Sequence, residues 1–264
     1  MKIVLKKKAL NYLSRFRKRK FHVFCIGAAK TGTTSIAHYL SSACRSAHEA
    51  ETLDTNKLII DKLEHRISKD KLLNKILQRD NRLKLEAEAS HPLSYITPEL
   101  VELFPYAKFI VTVREPYAWL VSRLNFHYKK KPPEWEEYRE YFWTSKNKLY
   151  EPEEKILKEH NLCSLDTYLK QYAEQYDIIL KSVPKERLLI VKTDKLYAST
   201  KNIIKFLNLQ PEYLLEMPTS NKEEGKITIL DSINEGFVRK KIWIHCHIII
   251  KDFFPETINN YDPQ

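Results

Sequence analysis

Nine residues, "GAAKTGTTS" from Gly27 to Ser35, bring together one lysine, two glycines and four hydroxyl side chains. An apolar run, Phe21 to Ile26, leads into them. Ile36, Tyr39, Leu40, Ala43 and Cys44 follow at helical spacing. A glycine-bearing turn that enters a helix presents backbone N–H groups and the positive end of the helix dipole, a setting for phosphate or sulfate as well as for a plain helix cap. The hydroxyls of Thr31, Thr33, Thr34 and Ser35 add donors, and Lys30 adds a mobile charge. The nucleotide-triphosphatase loop reads G-x-x-x-x-G-K-[ST]. Gly27, Gly32 and Thr34 match it, but Thr33 stands where its lysine belongs. The other clear strand, "KFIVTV", leads to Arg114 and not to the aspartate that helps hold Mg²⁺. ATP hydrolysis and ordinary kinase chemistry are therefore disfavoured.

"KTGTTS" resembles the 5′-phosphosulfate loop of the sulfotransferases that use 3′-phosphoadenosine-5′-phosphosulfate (PAPS). "VREPYAWLVS" resembles that family's second signature, an arginine at a strand end and a serine eight residues later on the next helix. The resemblance spans about residues 20 to 210 and implies that Lys30, Thr31, Gly32, Thr33, Thr34 and Ser35 hold the 5′-phosphosulfate. Arg114 and Ser122 would bind the 3′-phosphate, and Lys30 would also neutralise charge near the bridging oxygen. No metal is expected, and the product would be adenosine 3′,5′-bisphosphate. The acceptor would be a hydroxyl or amine of a small molecule, of natural-product or toxin type, or of a carbohydrate. A general base is needed at the acceptor. "ASHPL" resembles the family's Lys-Thr-His-Leu-Pro segment and offers His91. Carbohydrate-modifying members use a glutamate in this region, which offers Glu88, or else Glu86. This chain departs from the family pattern at Ala89, which replaces a lysine. Ser35 replaces the tryptophan that many cytosolic members stack on adenine. In the later strand Lys192-Thr193-Asp194 stands where many members have Tyr-Glu-Asp, with Asp194 read as structural. Asn221 and Lys222 are weaker candidates for a late loop over the cofactor.

Elements must position these groups. Phe21–Ile26, "KFIVTV" and "RLLIV" from Arg187 read as buried strands. Residues 54–82, Pro98–Phe104, Leu165–Leu180 and Lys201–Leu207 read as helices, and Pro116 opens another, because proline suits the first helical position. "LKLEAEASHP" alternates as a strand would, with a short helix as the alternative, and Pro92 biases His91 towards an extended backbone. Strands alternating with helices predict an α/β fold: a three-layer sandwich with a central parallel sheet and a phosphosulfate-binding strand-loop-helix. Ligands bind at the carboxyl ends of such strands, where residues 27–35, 88–92 and Arg114 all fall. In the irregular stretch 129–160, Trp135, Tyr138, Tyr141, Phe142 and Trp143 read either as an acceptor lid or as a helix packed on the core. His245 and His247, two apart, could face one side of a strand as metal ligands, but ordinary burial is the preferred reading.

The chain has 264 residues, 43% of them apolar, which suits one large domain. The formal charge of +11 invites a nucleic-acid or membrane-binding reading, but residues 1–20 carry nine Lys or Arg and no acid. That leaves the remainder near balance at +2. The organisation expected is a basic arm, 1–20, able to touch anionic surfaces, and one sulfotransferase-like domain, 21–264, with no nucleic acid as partner. Four scattered cysteines form no C-x-x-C pair and suit a reducing compartment. No run reaches the roughly 20 apolar residues of a membrane span, so a cytoplasmic location is expected.

Overall fold

Two runs rich in β-branched and aromatic residues, Val23–Gly27 and Lys108–Val113, are buried on both faces and form the centre of a sheet that needs helices above and below. The computed structural model describes residues 18–129, 132–144, 149–210 and 229–261. Its elements run β1 Val23–Gly27, α1 Thr33–Leu40, β2 Ser46–His48, α2 Thr52–Leu63, α3 Lys69–Leu83 and β3 Ala87–Ala89. There follow α4 Thr97–Leu103, β4 Lys108–Val113, α5 Pro116–Lys129, α6 Leu165–Ser182, β5 Leu188–Lys192, α7 Thr200–Leu207 and α8 Glu235–Phe253, with short helical turns between. The five strands are all parallel, in the order β2-β3-β1-β4-β5.

Alternate residues of β1, β4 and β5 feed two separate cores, and β3 adds to one of them. Val23, Cys25, Ala87, Ala89, Ile110 and Val191 pack on one face with Ile36 and Leu40 of α1 and Ile203 and Leu207 of α7. Phe24, Ile26, Phe109, Val111 and Val113 pack on the other with Trp119 of α5, Tyr172 and Tyr176 of α6 and Ile242 of α8. The three layers follow from that division. It also fixes the site. β1 and β4 are neighbours, yet the chain leaves β1 towards one face and β4 towards the other. Their carboxyl ends therefore splay apart and leave a crevice.

Several local expectations change. Residues 54–82 are two helices, broken at 64–68, where His65 takes a left-handed φ of 56°. The alternation from Leu83 is mostly not a strand. Leu83 closes α3, Lys84 caps it in the left-handed region, and only Ala87–Ala89 pair in the sheet. His91 is not extended: at φ −69° and ψ −34° it leads into a 3₁₀ turn, Pro92–Ile96. His245 and His247 lie on a helix, α8. The arm's residues 1–17 and the candidates Asn221 and Lys222 lie outside the described residues. Its last residues rest on α3, where Arg19 reaches both carboxylate oxygens of Asp80 at 2.9 and 2.5 Å. Among the described residues no helix is long and apolar enough to cross a membrane.

Candidate active site

The β1–α1 loop turns on two glycines in backbone conformations that strain any other residue. Gly27, at φ 141°, lies against the Thr112 carbonyl of β4, where a Cβ would collide. Gly32, at φ 107°, caps α1, and a Cβ there would lie 2.6 Å from Leu196 Cδ1. Between them four successive carbonyls are held by donors. Ala28 O accepts from Thr31 Oγ1 at 2.6 Å and Ala29 O from Trp119 Nε1 at 2.8 Å. Lys30 O accepts from Arg114 at 3.3 Å and Thr31 O from Thr193 Oγ1 at 2.7 Å. With these oxygens engaged, the start of α1, which has no acidic residue in its first turn and no side-chain cap, offers its N–H groups as donors.

A cavity of about 860 Å³ opens over this loop. Lys30, Gly32, Thr33, Thr34, Ser35, Arg114, Ser122 and His91 all line it, so the strand-end arginine, its helical serine and the phosphate-type loop share one space. Ser122 sits about 9 Å along α5 from its first residue, Pro116, at the helical rise. Glu115 accepts from the N–H groups of Tyr117 and Ala118 at 3.1 and 2.8 Å and so caps α5. Thr31 is the exception. It does not line the cavity: its side chain is fully buried and bonded to Thr112 Oγ1 at 2.6 Å, so it braces the loop on β4. Asp194 lines the cavity, while the neighbouring Thr193 ties β5 to the loop through Thr31 O and Val113 O.

The carboxylate expected at Glu88 is committed elsewhere. Glu88 is 4% exposed and forms a two-pronged pair with Arg79, which also donates to Thr55 Oγ1 and Ala50 O. Glu86 accepts from the backbone N–H groups of Lys20 and Arg45. Neither lines the cavity. A different carboxylate takes that place. Glu49, just after β2, accepts from His91 Nδ1 at 2.8 Å. Beside it, His48 Nε2 meets Thr33 Oγ1 at 3.3 Å and Thr34 Oγ1 at 3.1 Å. The sequence reading missed both His48 and Glu49. The only signal was the dipeptide itself, because a three-residue strand is too short to show a period.

Burial pushes the Glu49 carboxyl up, but the His91 hydrogen bond and the charges of His91, His48 and Arg123 outweigh it and hold it below its ordinary value. Burial pushes His91 down, and its bond to Glu49 offsets this only in part. A neutral His91 that donates from Nδ1 to a carboxylate carries its lone pair on Nε2. That nitrogen is buried without a hydrogen-bond partner among the described residues. Trp135 stacks on the imidazole at 4.9 Å and Tyr138 meets it edge-on at 5.5 Å. The aromatic cluster thus divides. Trp135, Tyr138 and Trp143 line the cavity, whereas Phe142 stacks on Tyr95 in the core. His245 pairs with Asp166 at 2.6 Å, and no group of three or more His, Cys, Asp or Glu among the described residues is arranged to hold a metal.

A family model described as "Sulfotransferase domain" matches residues 22–225. No curated protein matches the chain. Among solved structures, the chain is similar to a sulfotransferase from Alicyclobacillus acidocaldarius, at 15% identity over 92% of this chain and 97% of that one, with a TM-score of 0.47. It is similar to sulfotransferase STF9 from Mycobacterium avium at 12% identity over 94% and 81%, TM-score 0.49. A sulfotransferase domain from the curacin biosynthetic pathway aligns at 13% identity over 82% and 84%, TM-score 0.43.

Proposed function

The chain belongs to the sulfotransferase family, and from that premise we propose that it moves a sulfuryl group from PAPS to a hydroxyl or amine of a small-molecule or carbohydrate acceptor. The observation that carries this reading is the sharing of one cavity by the Lys30 loop and the Arg114–Ser122 pair. The residues fit the nucleotide: a helix start without a capping acid, with Lys30 and the hydroxyls of Thr33, Thr34 and Ser35, for the 5′ end, and a guanidinium with a hydroxyl for the 3′-phosphate.

PAPS, when bound, supplies the sulfuryl group and a phosphate as leaving group. The loop from Lys30 to Ser35 holds the 5′ end by backbone N–H and hydroxyl donors, and α1 points its positive end there. Lys30 meets the negative charge that gathers on the leaving oxygen. His91 Nε2 takes the proton of the acceptor as the acceptor oxygen or nitrogen bonds to sulfur and the sulfur–oxygen bond to the 5′-phosphate breaks. Glu49 keeps Nδ1 protonated and steadies the imidazolium so formed. Four free cysteines suit the reducing cytoplasm as the place of reaction.

Calorimetric titration with adenosine 3′,5′-bisphosphate and with ADP tests the reading. Selective binding of the 3′-phosphate compound is expected. Arg114→Ala should weaken it by about 1.5–3 kcal/mol, the worth of a charged hydrogen bond. Equal binding of ADP, or no effect of the substitution, would remove the basis for PAPS.

A further inference from the structure

Beyond the donor loop, one wall of the cavity holds a cation that the reaction scheme does not use. Arg123 follows Ser122 on α5 and is only 6% exposed. Among the described residues its guanidinium has no carboxylate partner, and its Nε is buried without an acceptor. It lies instead against aromatic faces, 5.0 Å from the Trp143 ring and 5.8 Å from the Phe126 ring. Lys30 Nζ stands 4.9 Å from that same Phe126 ring, so the two cations border one surface. Arg123 is also near enough to Glu49 and His91 to act on the charge of both. Arg139, half-buried and likewise without an acidic partner among the described residues, lines the outer part of the cavity.

A buried arginine stays charged; its one anionic neighbour among the described residues, Glu49, is already bonded to His91, so Arg123 has no close ion pair of its own there and its burial is incompletely offset. Such a group persists where its counter-ion arrives with a ligand. The site for the 3′-phosphate is already furnished by Arg114 and Ser122, and Arg123 faces the aromatic wall beside His91. We propose that Arg123 is the specificity determinant of the acceptor subsite: the acceptor carries an acidic group, a carboxylate or its equivalent, close to the hydroxyl or amine that is sulfated. Arg123 grips that group while Phe126, Trp135 and Trp143 hold the body of the molecule. The inference rests on the cavity being a sulfuryl-transfer site.

The test uses the full chain saturated with adenosine 3′,5′-bisphosphate and two matched pairs of probes. These are 4-hydroxyphenylacetate against 4-hydroxyphenylethanol, and methyl β-glucuronide against methyl β-glucoside. The acid of at least one pair should bind at least about tenfold tighter than its neutral partner, one charged contact being worth that much. Arg123→Gln should abolish the difference and Arg123→Lys should keep part of it, with adenosine 3′,5′-bisphosphate binding unchanged in both. The proposal is overturned if neither acid is preferred, if the preference survives Arg123→Gln, or if both variants lose the nucleotide. If the wild type does not bind the nucleotide at all, the PAPS reading has failed separately. The acid–neutral comparison is then read on the free protein against the same criteria.

Discussion

Replacing Glu49 by glutamine keeps the shape of the side chain and removes its charge. The structure allows the effect to be sized. The 2.8 Å bond from His91 Nδ1 is a hydrogen bond to a charged group, worth about 1.5–3 kcal/mol. Taking about 2 kcal/mol as the share felt when the imidazole becomes positive, transfer should slow about thirtyfold. The pH dependence should move as well. The base works only when neutral, so kcat/KM rises with pH through its pKa. In the wild type burial lowers that pKa and Glu49 partly restores it. Without the carboxylate the restoring influence goes, and the acidic limb should shift to lower pH while the plateau falls. Imidazole ¹⁵N spectra provide an assay that needs no acceptor: wild-type His91 should be neutral, protonated at Nδ1, with Nε2 bare. A proton on Nε2 in the wild type, or an acidic limb unmoved in Glu49→Gln, would refute the reasoning.

The assignment of Glu88 to structure has a separate consequence. Glu88→Gln leaves Arg79 buried against a neutral partner and should destabilise the fold by about 3 kcal/mol, read by denaturant unfolding. Binding of adenosine 3′,5′-bisphosphate at low temperature should be retained, and its loss would return Glu88 to the site. His22, packed between Phe24 and Phe104, is pushed down to about 4 by burial and by the charge of Arg19, against Asp80. Its folded pKa lies below its unfolded value of about 6.5, so it stays neutral in the fold and protonates first in the unfolded chain. Stability is therefore lost as pH falls from about 6.5 to about 4 and levels off below. His22→Phe should remove about 2 kcal/mol of that loss at pH 5, measured as the difference in unfolding free energy between pH 7 and pH 5. An unchanged pH slope would rule this out.

How much of this was legible before the fold was known depends on the range of the forces involved. Lys30 and Gly32 stood out because a glycine turn entering a helix is a local pattern, whereas Arg114 and Ser122 were marked by the family resemblance; all four line one cavity. The parallel sheet could be read because "KFIVTV" and the run into Gly27 carry enough residues to show burial on both faces. Glu88 misled because alternation places it correctly on a strand but says nothing of Arg79, which reaches it from a separate helix. Glu49 was hidden for the opposite reason. Its place beside His91 is set by pairing of the three-residue strand β2 with β3, a contact between segments about 40 residues apart. Thr31 resembled its neighbours in the loop, and its hydroxyl turns inward to Ala28 O and to Thr112 of β4, a partner about 80 residues away.

The four carbonyls of the loop are held by a loop threonine, α5, the end of β4 and the end of β5. The conformational entropy of that segment is thus lost when the chain folds and not when a ligand arrives. An anion entering the site meets donors already aimed, so little of its interaction free energy is spent on ordering the protein. The same bonds couple affinity to architecture. A change at Trp119 or Thr193, neither of them a ligand-binding group in this scheme, loosens the loop and reaches the ligand as an entropic penalty.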